Sequence, residues 1–181
     1  MSKTKNELFS WIKSIIIAFG IVMLVKTFLF APYIVKGSSM EPTLHNHEKI
    51  LVNKLGAITD GLSRGDIVII KDTKEDTNYV KRIIGFPGER IEMKEDKLYV
   101  NKEQVDESYL TANRNKAEEL GVNLTGDIGP IIVPENHYYV MGDNRLNSMD
   151  SRNGLGFIHK DYIIGESEFV FYPLSKIRDI K

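Results

Sequence analysis

Three short segments hold residue types that can act together in covalent chemistry. In Val35-Lys36-Gly37-Ser38-Ser39-Met40-Glu41-Pro42-Thr43-Leu44, an extended run breaks at Gly-Ser-Ser and Pro42 halts further pairing. A serine at such a break can expose its hydroxyl and leave neighbouring backbone N–H groups as oxyanion donors; an ordinary turn reads the same way. In Tyr79-Val80-Lys81-Arg82-Ile83-Ile84-Gly85-Phe86-Pro87-Gly88, strand alternation puts Lys81 on the face of Tyr79 and Ile83, opposite Val80 and Arg82. A lysine in an apolar strand is either a solvated guard at a sheet edge or buried for a reason. The third segment runs from Met141 to Arg152 and mixes Asp143, Asn144, Arg145, Asn147, Ser148, Asp150 and Arg152. It reads as a loop closed on itself by ion pairs, in which Asp150 has Arg145 and Arg152 as possible partners.

Other signals are weaker. His45-x-His47 lacks a third spaced ligand, and His137 and His159 are far away in sequence, so no metal site is expected. Asn123-Leu124-Thr125 is a sequon frequent by chance. Arg64-Gly65-Asp66 leads into Ile67-Val68-Ile69-Ile70 and reads as a turn entering a strand. No serine sits in a Gly-x-Ser-x-Gly elbow, and there is no Gly-rich phosphate loop.

The elements that must position these segments come in two parts. From Ser14 to Ala31, 14 of 18 residues are apolar and Lys26 is the single charge. A stretch from Leu8 to Ala31, at about 1.5 Å per residue, spans a bilayer core of roughly 30 Å with some tilt. Trp11 and Tyr33 lie where interfacial aromatics are expected, and Lys13 and Lys26 can snorkel. The exit Thr27-Phe28-Leu29-Phe30-Ala31-Pro32 has no small-x-small cleavage pattern, so an uncleaved anchor is expected rather than a signal peptide. Lys3, Lys5 and Lys13 put the N-terminus on the cytoplasmic side and residues 32–181 outside.

The whole chain has 181 residues, 24 Lys plus Arg against 25 Asp plus Glu, and no cysteine. That balance excludes a nucleic-acid binder built on a large basic field. The missing cysteines exclude a disulfide scaffold, a thiolate metal site and a cysteine nucleophile. Residues 32–181 read mostly as short β-branched or aromatic runs punctuated by Gly, Pro, Asn and Asp. Strands are expected at Tyr33–Lys36, Lys49–Lys54, Asp66–Lys71, Tyr79–Ile84, Arg90–Met93, Lys97–Val100, Ile131–Val133, Tyr138–Met141 and Ile163–Phe171, with a hairpin turn at Glu95-Asp96. A polar region, about 105–129, reads as a loop-rich insertion with one or two helical turns at Asn113–Leu120. The fold class is therefore mainly β: a folded antiparallel β domain (32–181) preceded by one N-terminal transmembrane helix (1–31).

In order, Gly-x-Ser-Met-x-Pro-Thr, Arg-Gly-Asp-Ile-Val, Tyr-Val-Lys-Arg-Ile-Ile-Gly-x-Pro-Gly and Gly-Asp-Asn-Arg-x-Asn-Ser-x-Asp-Ser-Arg follow the apolar stretch. This series closely resembles the bacterial type I signal peptidases, membrane-bound Ser/Lys proteases, in their Gram-positive form. The resemblance implies a serine endopeptidase that cleaves N-terminal signal peptides from exported preproteins. It implies Ser39 as nucleophile, Lys81 as general base and Ser148 as the residue orienting the lysine. Asp143, Asp150 and Arg152 match residues that hold the active-site loop. The Ser39 backbone N–H is the first oxyanion donor, with Ser38 or Gly37 as candidates for the second, because Gly37 stands where Gram-negative relatives have a serine. Met40 and Pro42 are expected to meet substrate. Many relatives have Asp where this chain has Leu146, so any ion pair of that aspartate is absent. No cofactor and no metal are implied. The partners implied are preproteins with small residues at −1 and −3, membrane lipid and nearby export machinery, with no nucleic acid. A self-cleaving Ser/Lys protease and a non-catalytic membrane-anchored peptide-binding β domain are the alternatives.

Overall fold

β-Branched runs bounded by turn residues set the architecture. The structure, a computed structural model, describes residues 2–59, 61–72 and 77–180, and the side chains of 2–6, 8 and 24–28 lie outside that description. The expectations placed on the side chains of Lys3, Lys5 and Lys26 therefore fall outside the described residues.

Helix α1 (Ser2–Phe28) comes first. Its described residues carry Phe9, Trp11, Ile15, Ile16, Phe19 and Val22 exposed. Among the described residues no helix is long and apolar enough to cross a membrane. The chain continues as β1 (Phe30–Ile34), β2 (Lys49–Asn53), a short α2 (Leu55–Ile58), β3 (Ile67–Lys71), β4 (Asn78–Gly85), β5 (Arg90–Lys94), β6 (Lys97–Val100) and β7 (Glu103–Val105). Then follow α3 (Thr111–Leu120), β8 (Ile128–Ile132), β9 (His137–Met141), β10 (Ile158–His159), β11 (Ile163–Tyr172) and β12 (Arg178–Asp179).

These strands make two antiparallel sheets. The larger has the order β1-β2-β11-β3-β4-β9-β10, with β12 beside β11; the smaller is β7-β6-β5-β8. The apolar run of β3 has a reason: both its faces are covered, so alternation would leave a polar side chain buried. Ile67 and Ile69 join Val35, Met40, Leu44, Ile50 and Val170 on one face. Val68 and Ile70 join Ile83, Tyr138, Val140 and Ile163 on the other. A third apolar cluster, with Ile84, Ile91, Met93, Leu98 and Tyr139, ties the small sheet to the large one.

The β5–β6 turn at Glu95-Asp96 has φ of 51° and 59°, the left-handed pair a two-residue hairpin needs. Asn101-Lys102 repeats the device and adds β7, a strand not expected from the sequence. The polar insertion is more ordered than its composition suggests. Helix α3 runs for ten residues, ended by Gly121 at φ 67°. It is held by Leu110, Ala117 and Leu124.

Candidate functional site

Strand β4 lies inside the large sheet, between β3 and β9, with Val68 opposite Lys81 and Met141 opposite Arg82. This corrects the edge-guard reading of Lys81, which is 2% exposed. Its Nζ stands 2.7 Å from Ser39 Oγ and 3.0 Å from the Val80 carbonyl oxygen. Tyr79 places its ring face 5.9 Å away. Burial pushes the lysine down to about 8, against the upward pull of the Asp150 and Asp143 carboxylates. At about pH 7.4, roughly one lysine in five is then neutral, against about one in a thousand for an ordinary lysine. A neutral Nζ accepts the Ser39 hydroxyl proton, and the charged form donates to the hydroxyl instead.

Ser39 sits in the loop between β1 and β2. The loop is closed at its base by Val35 N–H to Glu48 O and His47 N–H to Val35 O, both 2.9 Å. Gly37 adopts φ 85°, a left-handed conformation that favours glycine. Met40 is buried in the core, so its side chain plugs the loop into the sheet instead of meeting substrate as expected. Pro42 is exposed. The Gly37 N–H donates to Asn46 Oδ1 at 3.1 Å, which removes it as an oxyanion donor. Ser38 Oγ accepts from Asn147 Nδ2 at 3.0 Å, an arrangement that leaves its own proton to donate.

The Met141–Arg152 loop grips the Ser39 loop. Asn144 donates its N–H to Ser39 O (3.0 Å) and its amide to Ser38 O (3.1 Å). Fully buried Asp143 takes a bidentate ion pair from Arg82 (2.9 and 2.7 Å) and a 2.5 Å hydrogen bond from Thr43. Asp150 pairs with Arg152 (2.8 and 2.9 Å) and accepts the Gly142 N–H, so the open question of its partner resolves to Arg152. Burial opposes the Asp150 charge, yet these bonds hold its carboxyl below the ordinary value. Ser148 is buried close to Gly142, with its hydroxyl beside the Asp150 carboxyl that it helps keep charged. The expected hydrogen bond from Ser148 to Lys81 is not made. Leu146 is exposed and makes no ion pair.

Sequence reasoning missed the support beneath this loop. Arg145 turns away from Asp150 to Glu107, in a buried 2.5 Å pair, and donates to the Gly142 carbonyl. Tyr109 donates to the same Glu107 and lies with its ring 4.0 Å below the Arg82 guanidinium. Asn113 on α3 reaches both loops, through the Glu41 and Asp143 carbonyls. The four histidines stand outside this constellation, His137 stacking edge-on with His159. A groove of about 400 Å³ is lined by Tyr79, Met149, Leu155 and Phe157 among others, with neither Ser39 nor Lys81 in its wall.

A half-buried serine hydroxyl against a buried lysine of lowered pKa can form and hydrolyse an acyl-enzyme. Comparisons agree with that chemistry. Residues 8–172 match the family described as signal peptidase, peptidase S26. The chain is similar to a signal peptidase I of Bacillus licheniformis, 53% identical over 96% of this chain and 94% of that one. It is also similar to signal peptidase I T of Bacillus subtilis (strain 168), 54% identical over 99% and 93%. A crystal structure of a signal peptidase I from Enterococcus faecalis V583 superposes with a TM-score of 0.53 at 32% identity, covering 58% of this chain and 95% of that one.

Proposed function

The chain belongs to the signal peptidase family, peptidase S26, and cleaves signal peptides from preproteins; we propose that Ser39 and Lys81 carry out that hydrolysis as a dyad. The 2.7 Å approach of the half-buried Ser39 hydroxyl to the buried Lys81 amine carries this reading. Neutral Lys81 takes the Ser39 proton as Oγ attacks the scissile carbonyl. The Ser39 N–H and the Ser38 hydroxyl meet the oxyanion. Collapse expels the new N-terminal amine, which leaves with the proton from Lys81. Water, deprotonated by Lys81, then frees the acyl group and restores Ser39. Asp143, Asp150 and Arg152 fix the loop, and Ser148 borders the site beside Asp150.

The substrate is a preprotein segment bound extended by strand addition, with small residues at −1 and −3. The chain up to Phe28 forms a single-pass anchor with a cytoplasmic tip, and the extracytoplasmic catalytic domain begins with β1 at Phe30, two residues before the expected boundary at 32, because Phe30 and Ala31 already pair with β2. The apolar side chains exposed along the described part of α1 and the apolar run of the sequence from Ser14 to Phe28 support this division. Confinement with substrate in one bilayer raises their effective concentration, with lipid and the export machinery as neighbours. A non-catalytic peptide-binding domain has no use for a buried lysine against a serine, and the ordered motifs count against self-cleavage as the primary activity. Processing of a labelled preprotein by wild type, Ser39→Ala and Lys81→Ala is the test: both variants should be inactive. Retained cleavage by either would sink the dyad.

A further inference from the structure

Helix α3 belongs to the polar insertion, far in sequence from both catalytic loops, yet it ties them together. Leu110 and Ala117 face the small apolar cluster that holds the helix. Asn113, three residues after one and four before the other, shares their side of the helix. Its amide nitrogen donates to the Glu41 carbonyl at 2.9 Å and to the Asp143 carbonyl at 2.8 Å. Both hydrogens of one NH₂ group are thus used, and two carbonyl acceptors leave a single orientation for the amide.

The two acceptors are not arbitrary backbone. Glu41 is two residues past Ser39, in a turn closed by its own N–H to Ser38 O. Asp143 directly precedes Asn144, which holds the Ser38 and Ser39 carbonyls. Asn113 therefore spans the seam between the loop bearing the nucleophile and the loop facing the lysine. The platform behind it is stiff. Glu107 and Tyr109, just ahead of α3, are locked to Arg145 and Arg82 by buried hydrogen bonds and a ring contact.

We propose that Asn113 is a positioning residue for catalysis, setting the separation of Ser39 Oγ from Lys81 Nζ by clasping the two loops to the insertion. The proposal rests on the Ser39–Lys81 reading. It gives the insertion a role in the reaction: small loop displacements cost much rate, because the reacting atoms must meet within a few tenths of an ångström. Asn113 touches neither substrate nor dyad, so its loss acts on turnover rather than on binding.

The test uses the full chain with a labelled preprotein, comparing wild type, Asn113→Ala, Asn113→Asp and Ser39→Ala well below every variant's unfolding midpoint. Asn113→Asp keeps the shape but turns a carboxylate toward two carbonyl oxygens. The expected result is a kcat lower by about ten- to a hundred-fold in Asn113→Ala, lower still in Asn113→Asp. KM should stay within about two-fold, and the pH of half-maximal rate should match wild type, since Lys81 keeps its surroundings. A wild-type kcat in Asn113→Ala overturns the proposal. So does a loss that tracks the folded fraction and disappears on cooling, because that is a stability role alone. Activity surviving in Ser39→Ala would instead overturn the dyad itself, so the two failures are distinguishable.

Discussion

Lys81 should make the enzyme less stable than it need be, and replacing it with methionine measures by how much. The lysine falls from 10.5 to about 8 on folding. At about 1.36 kcal/mol per pH unit, folding with a charged Lys81 costs about 3 kcal/mol. Methionine has similar volume and no charge, so it escapes that cost. It forfeits the hydrogen bonds to Ser39 Oγ and the Val80 carbonyl, each worth about 1 kcal/mol net. Below about pH 8 the variant should therefore be more stable by about 1 kcal/mol. Between about pH 8 and 10.5 the folded wild type binds fewer protons than the unfolded chain, so its stability rises with pH. Above about 10.5 its lysine is neutral in both states, and Lys81→Met should be the less stable by about 2 kcal/mol. Chemical unfolding of the full chain in mild detergent, run as matched pairs from about pH 6 to 11, should give stability curves that cross. A constant difference across that range, or a variant that gains on wild type as pH rises, would refute the buried-base argument.

Other consequences are open to simpler assays. The rate of preprotein processing should rise with pH through a group titrating near 8, and a limb near the ordinary lysine value would place the base in water. A Cβ on Gly142 would strike Ser148 Oγ and the Ser39 carbonyl, so Gly142→Ala should lose about 1–3 kcal/mol by thermal unfolding and most of its activity. Asp143→Ala strands Arg82 in the interior and should cost about 3–5 kcal/mol, read from the unfolding midpoint. The Ser148 hydroxyl is buried beside the Asp150 carboxyl that it helps hold charged, so Ser148→Ala should cost no more than about 1–2 kcal/mol by thermal unfolding; a reduced processing rate in the folded variant then reports chemistry, and a full rate removes Ser148 from the site.

Much of the sheet is legible because local pattern and burial agree. Lys97–Val100 matches β6 at both ends, and Glu95-Asp96 turns where a hairpin is expected. The helix at Asn113–Leu120 begins two residues earlier and is longer than a turn or two; its C-terminal signal, Leu120-Gly121, is plain, but its polar surface hides its start. β7 is hidden because Asn101-Lys102 lacks the glycine that marks such turns. The short motifs single out Ser39 and Lys81, residues the fold brings together across 42 positions of chain. What sequence reading could not supply is pairing at long range. Glu107 looks like one more solvated carboxylate until Arg145, 38 residues on, buries against it. Met40 reads as a substrate contact only while its place in the core is unknown.

Helix α1 ends at Phe28 and β1 begins at Phe30, so one residue separates helix from sheet. Ser39 follows Phe28 by eleven residues, a path of at most about 40 Å even if fully drawn out. On the membrane-anchored reading, that short path works as a ruler. The nucleophile patrols a thin shell of fixed height above the bilayer. A peptide bond outside that shell stays intact whatever its side chains, and one inside it is presented in register without a search. Selection would then rest on altitude as well as on the fit of small residues, a second criterion that costs no contacts.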